Sequence, residues 1–162
     1  MSAPRPEYIS SPGYTALEAE LIELARVERP EVVNRVALAA AEGDRSENAE
    51  YIYGKKRLRE IDKRMEFLSN RLDVLTPIPR AVTDERVVFL SWLSLEDAEG
   101  ETHVFRIVGA DETDAKAGWI SLKSPVGRAL LGHRVDDEVT VKTPGGLREY
   151  TINEISIEPF ST

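Results

Sequence analysis

The nonapeptide Gly43-Asp44-Arg45-Ser46-Glu47-Asn48-Ala49-Glu50-Tyr51 holds the residues best placed to do chemistry. Asp44 and Glu47 are carboxylates three residues apart, directly after a glycine suited to the left-handed position that follows a helix end. Two readings of the pair stay open. In the first they form a capping box, in which Asp44 accepts an orphan N–H of the next helix and Glu47 reaches back. In the second they bind a divalent metal. Oxygen ligands suit Mg²⁺, which commonly uses one or two protein carboxylates and keeps several waters. Two carboxylates alone hold it weakly, so other ligands would come from a partner. The readings coexist if only one of the acids serves as a cap.

Beyond this tip runs Lys55-Lys56-Arg57-Leu58-Arg59-Glu60-Ile61-Asp62-Lys63-Arg64, with six basic and two acidic residues. At about 100° per residue, Lys55, Lys56, Arg59 and Lys63 share one arc, while Arg57 and Arg64 lie together on its flank. Such a run reads either as a solvated helix face with local ion pairs or as a surface that tracks phosphates.

These residues need something to carry them. Leu58, Ile61, Met65, Leu68, Leu72 and Leu75 are spaced as a heptad seam. Leu17, Leu21 and Leu24 begin a second seam, continued less regularly by Val32, Val33, Val36 and Ala40. Pro30 interrupts it and predicts a distortion near Arg29. A connection as short as 42–46 makes the two helices antiparallel. Each arm of the resulting coiled-coil hairpin has about 30 residues, or about 45 Å. A two-helix hairpin has almost no interior, so that length implies a tip that must reach a distant place.

Composition changes at Thr76-Pro77-Ile78-Pro79, read as a stiff linker. The expected fold class is α+β: a helical hairpin over 1–76 and a small β-rich domain over 77–162. Val87–Leu95 and Thr102–Gly109 read as one strand pair, Val139–Lys142 and Glu149–Ile157 as another. Trp119–Leu122 reads as a further strand, and Ser124-Pro125 starts a short helix that stops near Gly132.

The 162 residues carry a net charge of −8 and no cysteine, which excludes disulfides, thiolate zinc sites and a cysteine nucleophile. Residues 1–76 hold 12 basic and 14 acidic side chains, and residues 77–162 hold 9 and 15. Contact with nucleic acid is therefore expected from the first half only. No apolar run is long enough for a membrane span, and residues 1–12 do not read as a secretory signal. A soluble, cytoplasmic monomer is expected. His103 and His133 read as a strand-surface residue and a helix-end cation. Phe89, Trp92, Phe105 and Trp119 read as core, which disfavours the aromatic pocket of a prolyl isomerase. A plain coiled-coil adaptor is the remaining rival, with Asp44 and Glu47 serving helix stability alone.

The nonapeptide at 43–51 resembles the tip motif of the bacterial Gre transcript-cleavage factors. The run at 55–64 resembles the GreB branch, and 124–132 with 139–146 resemble the family's C-terminal signature. The likeness extends from about Ser11 to Ile157. It implies a coiled coil followed by an FKBP-like domain, acting on bacterial RNA polymerase that has slid backward and extruded the RNA 3′ end. By resemblance, Asp44 and Glu47 help hold the second Mg²⁺ of the polymerase active site, supported by Ser46 and Asn48. Lys55, Lys56, Arg57, Arg59, Lys63 and Arg64 lie along the RNA, and Ser124 and Pro125 contact the polymerase rim. Position 123 is Lys where the GreB pattern leads one to expect an acid. The protein would be no enzyme itself but would stimulate the polymerase's cleavage. A Gre-fold regulator that enters the channel and inhibits is the alternative, and the unaltered acidic pair argues for cleavage.

Overall fold

The computed structural model describes residues 6–43 and 48–161. The chain forms two compact units: Tyr14–Leu75, and the segment ending at Gly13 together with the chain from Thr76 onward.

The first unit is a helical hairpin. Its outgoing arm consists of α1 (Ser11–Glu23), a π-helical turn (Leu24–Glu28) and α2 (Arg29–Ala41); its returning arm is α3 (Ala49–Val74). Pro30 explains the π turn. It has no N–H to give, and its ring would strike the carbonyl four residues back. The chain answers by widening: the Arg29 N–H reaches five residues back to the Leu24 carbonyl. The extra residue shifts the seam by one position. Heptad spacing from Leu24 would place the following core residues at 28 and 31, but Val32 is the buried one. Leu24, Val32, Ile61 and Leu68 form the core, flanked by Leu17, Leu21, Val36, Leu58 and Met65. The same phase shift corrects two expected positions. Val33 is exposed, and Ala39 is buried more deeply than Ala40.

The second unit contains two sheets. A five-stranded sheet runs in the order β5-β4-β3-β7-β6, built from β3 (Trp92–Asp97), β4 (Thr102–Val108), β5 (Trp119–Ser121), β6 (Glu138–Thr143) and β7 (Gly146–Ser156). Only β4 and β5 are parallel; the other neighbours are antiparallel. The helix α4 (Pro125–Leu130) packs with this sheet around Leu93, Leu95, Ile107, Leu130, Val141 and Ile152. The expected α+β class is the one observed.

Two expectations change. The strand predicted over Val87–Leu95 starts only at Trp92, because Leu90 takes a left-handed φ of 72°. That residue closes a turn in which the Ser91 N–H donates to the Val88 carbonyl and the Val88 N–H to Ser91 Oγ. The linker at 76–79 is also partly a strand: β2 (Leu75–Ile78) pairs with β1 (Glu7–Ser10) in a two-stranded sheet. The N-terminal segment therefore belongs with the second unit, not with the hairpin as a 1–76 division has it.

Glu112 fixes that segment in place. Its carboxylate accepts the Ser10 N–H at 2.8 Å, the Gly109 N–H at 3.0 Å and the Ser10 hydroxyl. Glu112→Gln replaces one acceptor oxygen by a donor that faces donors. It should lower the stability of this unit by about 2 kcal/mol, the scale for hydrogen bonds to a charged group. Urea unfolding followed by the fluorescence of Trp92 and Trp119, both in this unit, measures the loss.

Candidate functional site

Asp44, Ser46 and Glu47 lie outside the described residues, but the start of α3 is described and bears on their role. The N-cap of α3 is Asn48: its backbone is extended, and its side-chain oxygen accepts the Tyr51 N–H at 3.1 Å. Its amide donates to the Ala39 carbonyl at 2.8 Å, so one side chain caps the returning arm and ties it to the outgoing one. The capping role read from the sequence at Asp44 is therefore filled, for α3, four residues later. Asn48→Ala should cost about 1–2 kcal/mol of hairpin stability. Asn48→Asp keeps the cap, loses the donor to Ala39, and should fall between. The thermal midpoint of the helical circular-dichroism signal orders the three.

The six cations of the basic run divide into two sets. Arg57 binds Glu28 through Nε at 2.8 Å and Glu60 at 3.2 Å, and Arg64 binds Glu20 through a guanidinium nitrogen at 2.8 Å. These are the two flank residues, and each pairs across the hairpin. Hydrogen bonding to Glu28 raises the Arg57 pKa further, while the Arg64 hydrogen bond lowers that of Glu20. Arg29 takes Asp62 at 2.8 Å and lowers its pKa by that hydrogen bond. Asp62 is thereby engaged by the opposite arm, not by a neighbouring cation of α3. Lys55, Lys56, Arg59 and Lys63 are exposed, and among the described residues they make no ion pair. The acidic partners Glu20 and Glu28 were not legible in the sequence, because only the hairpin register brings them opposite Arg64 and Arg57.

Near the tip, an open groove of about 720 Å³ lies between α2 and α3, with Leu38 and Tyr53 exposed at 60% and 77% along it. Gly54 lets the arms approach there, since a Cβ at that position would press into Val36.

Ser124 and Pro125 sit at the start of α4. Ser124 Oγ accepts the Gly127 N–H at 3.0 Å and donates to the Ser121 carbonyl at 2.7 Å, while Pro125 occupies the first turn and is exposed. Lys123, beside them, forms an ion pair with Glu7 of β1. A basic residue at this position therefore has a partner within its own unit. His103 pairs with Asp97 at 2.8 Å and His133 with Asp137 at 3.0 Å, so both histidines have carboxylate partners. Asp97, Glu101 and His103 come within 4.8 Å, but Asp97 also accepts the Glu99 and Glu101 N–H groups of its turn. Among the described residues no helix is long and apolar enough to cross a membrane.

A helical hairpin with a charged end, joined to a separate α+β unit, defines a two-part factor whose residues converge on no enclosed catalytic cleft among those described. Residues 7–76 match the family model described as transcription elongation factor, N-terminal. Residues 82–157 match the model described as transcription elongation factor, GreA/GreB, C-term. The chain belongs to the GreA/GreB family of transcription elongation factors and is of the GreB type. It is 54% identical to the transcription elongation factor GreB of Yersinia pestis, over 94% of this chain and 90% of that one. With GreB of Pasteurella multocida it shares 52% identity, over 93% and 96%. The crystal structure of GreA factor homolog 1 (Gfh1) of Thermus thermophilus is 26% identical, with a TM-score of 0.43 over 94% of this chain and 99% of that one.

Proposed function

We propose that this elongation factor binds bacterial RNA polymerase through its secondary channel. There it stimulates the polymerase's own cleavage of the RNA 3′ end in backtracked complexes. The observation that carries the reading is the cap of α3: Asn48 supplies it, so α3 does not need Asp44 or Glu47 for that purpose. The donor set of those two side chains fits a hard divalent cation, being oxygen only, and too few to hold it without a partner. Asp44 and Glu47 would hold Mg²⁺ together with polymerase ligands, and the bound ion would supply a nucleophilic water or stabilise the leaving oxygen. Ser46 and Asn48 support the tip.

The four exposed cations of α3 form a row suited to the phosphates of extruded RNA, whereas Arg57 and Arg64 hold the hairpin together. The hairpin supplies reach: α3 alone has 26 residues, about 39 Å at 1.5 Å per residue. Leu38 and Tyr53, exposed near the tip, suit a hairpin whose end is covered by a partner. The second unit would dock outside through the α4 start, with Ser124 rigid and Pro125 presented. On this reading the protein turns over nothing by itself and works in the cytoplasm, where the polymerase is.

The test is a purified backtracked elongation complex with Mg²⁺ and the full chain. Shortening of the RNA from its 3′ end, followed by renewed elongation, supports the reading. Binding with no shortening replaces it by inhibition of the polymerase from the same channel.

A further inference from the structure

The second unit carries a built cationic site that the tip chemistry does not use. The register of the five-stranded sheet places Trp92 of β3 opposite Arg106 of β4, and Arg106 opposite Trp119 of β5. Three neighbouring strands thus present a row of Trp, Arg and Trp. Period-2 alternation puts this row on the face opposite Leu93, Phe105 and Ile107, which pack with the core around α4. The Arg106 guanidinium carbon lies 4.7 Å from the Trp92 ring centre and 5.0 Å from that of Trp119. The two rings meet edge to face at 6.2 Å, and the fork is held by cation–π contact.

Arg106 is half-buried yet has no ion pair among the described residues. Its one side-chain hydrogen bond among the described residues is a long one, from Nε to the Leu90 carbonyl at 3.5 Å. Neither terminal nitrogen has a partner among the described residues, and neither is sealed from solvent. Burial lowers its pKa, against the weaker opposing pull of the Glu112 and Glu158 carboxylates, which stand beyond ion-pair distance. The fork opens on a cavity of about 340 Å³ lined by Pro79, Arg80, Trp92, Ile157, Glu158 and Pro159. Arg80, at its mouth, is exposed.

A half-buried guanidinium whose NH₂ groups have no partner among the described residues, set between ring faces and beside a second arginine, is a receptor for a planar anion held through two parallel hydrogen bonds. We infer that this cavity binds a single carboxylate, an Asp or Glu side chain presented by a partner protein. The charge of the unit selects the protein over a nucleic acid. Residues 77–162 carry 9 basic and 15 acidic side chains, so a strand of phosphates is repelled over the surrounding surface while one carboxylate reaches the fork. The proline and isoleucine walls suit the apolar stem of such a side chain. The site uses none of Asp44, Glu47, Ser124 and Pro125 and stands whether or not the tip stimulates cleavage.

The chain's 2 tryptophans both contact the Arg106 guanidinium and Trp92 lines the cavity, so intrinsic fluorescence reports on the site. The full-length protein would be titrated, at constant ionic strength, with the capped tripeptide acetyl-Ala-Glu-Ala-amide, its Gln counterpart, and inorganic phosphate. The expected result is a saturable change with the Glu peptide, about tenfold weaker for the Gln peptide and for phosphate. Arg106→Lys keeps the charge but loses the fork, and should weaken the Glu peptide by a similar factor. Arg80→Ala leaves the sheet untouched and should weaken it less. An equal response to the Gln peptide, no saturable response to any probe, or unchanged binding by Arg106→Lys overturns the inference. Tighter binding of phosphate overturns it in favour of a nucleic-acid contact.

Discussion

Asp44→Asn and Glu47→Gln should each reduce stimulated RNA cleavage by about 100-fold while leaving the factor folded and bound to the polymerase. The magnitude is the scale for losing one ligand from a metal that stabilises developing charge. The choice of substitutions separates chemistry from capping. Asn is as good an N-cap as Asp, and Gln serves in a capping box as Glu does, so both variants preserve whatever capping the acids perform. The helix that follows is capped by Asn48 in any case. Helical circular dichroism should therefore match the unaltered protein, and each variant should compete with it for the polymerase at equal concentration. A weakened metal site also predicts a partial remedy: raising Mg²⁺ should narrow the cleavage defect, since the lost affinity is offset by mass action. Cleavage within about twofold of the unaltered protein, at low Mg²⁺, would remove the acids from the chemistry. Loss of binding together with cleavage would assign them to the docking of the tip instead.

The parts of this molecule that follow from local physics were legible in the sequence. The seam of α3 repeats every three or four residues, and Ile61 and Leu68 are fully buried where it places them. Pro30 announced a distortion. Its form, a π turn that moves the buried position to Val32, depends on how the outgoing arm keeps contact with α3, which no single-helix pattern encodes. The stretch 87–91 is apolar, β-branched and aromatic, so it reads as strand; Leu90 bends it because Val87 is held by backbone hydrogen bonds with Gly132 and His133. The segment Glu7–Ser10 is four residues long and pairs with a strand containing Pro77, a combination whose local signals point to linker. Its anchor, Glu112, is 102 residues away from Ser10. At the tip, Asp44, Ser46 and Asn48 are all good N-caps by type, and only the described start of α3 distinguishes Asn48. Arg57 and Arg64 fell on the flank by angular arithmetic, but their assignment to ion pairs needed the opposite arm. The Trp92–Arg106–Trp119 row depends wholly on the register of three strands, two of them separated by a loop, and so its two tryptophans read as ordinary core.

Gly127→Ala should destabilise the second unit by about 3 kcal/mol. Alanine is ordinarily the better residue within a helix, by about 1 kcal/mol, so the sign here comes from packing alone. A Cβ on Gly127 would overlap the Ser121 carbonyl oxygen and crowd the Leu122 Cα, both backbone atoms that no rotamer change can move. Relief requires α4 to lift away from the segment that follows β5. That motion withdraws Leu130, which is fully buried and packs with Leu93, Ile107, Val139 and Val141. It also opens the cap in which Ser124 Oγ joins the Gly127 N–H to the Ser121 carbonyl. Denaturant unfolding read by tryptophan fluorescence follows this unit, because Trp92 and Trp119 both belong to it, whereas far-ultraviolet circular dichroism is dominated by the hairpin. The midpoint should fall in the first signal and stay nearly constant in the second, since the two units have separate cores. A loss below about 0.5 kcal/mol would mean that α4 can shift freely. In that event the presentation of Pro125 would not depend on this contact, and the α4 start would be a compliant docking element, not a rigid one.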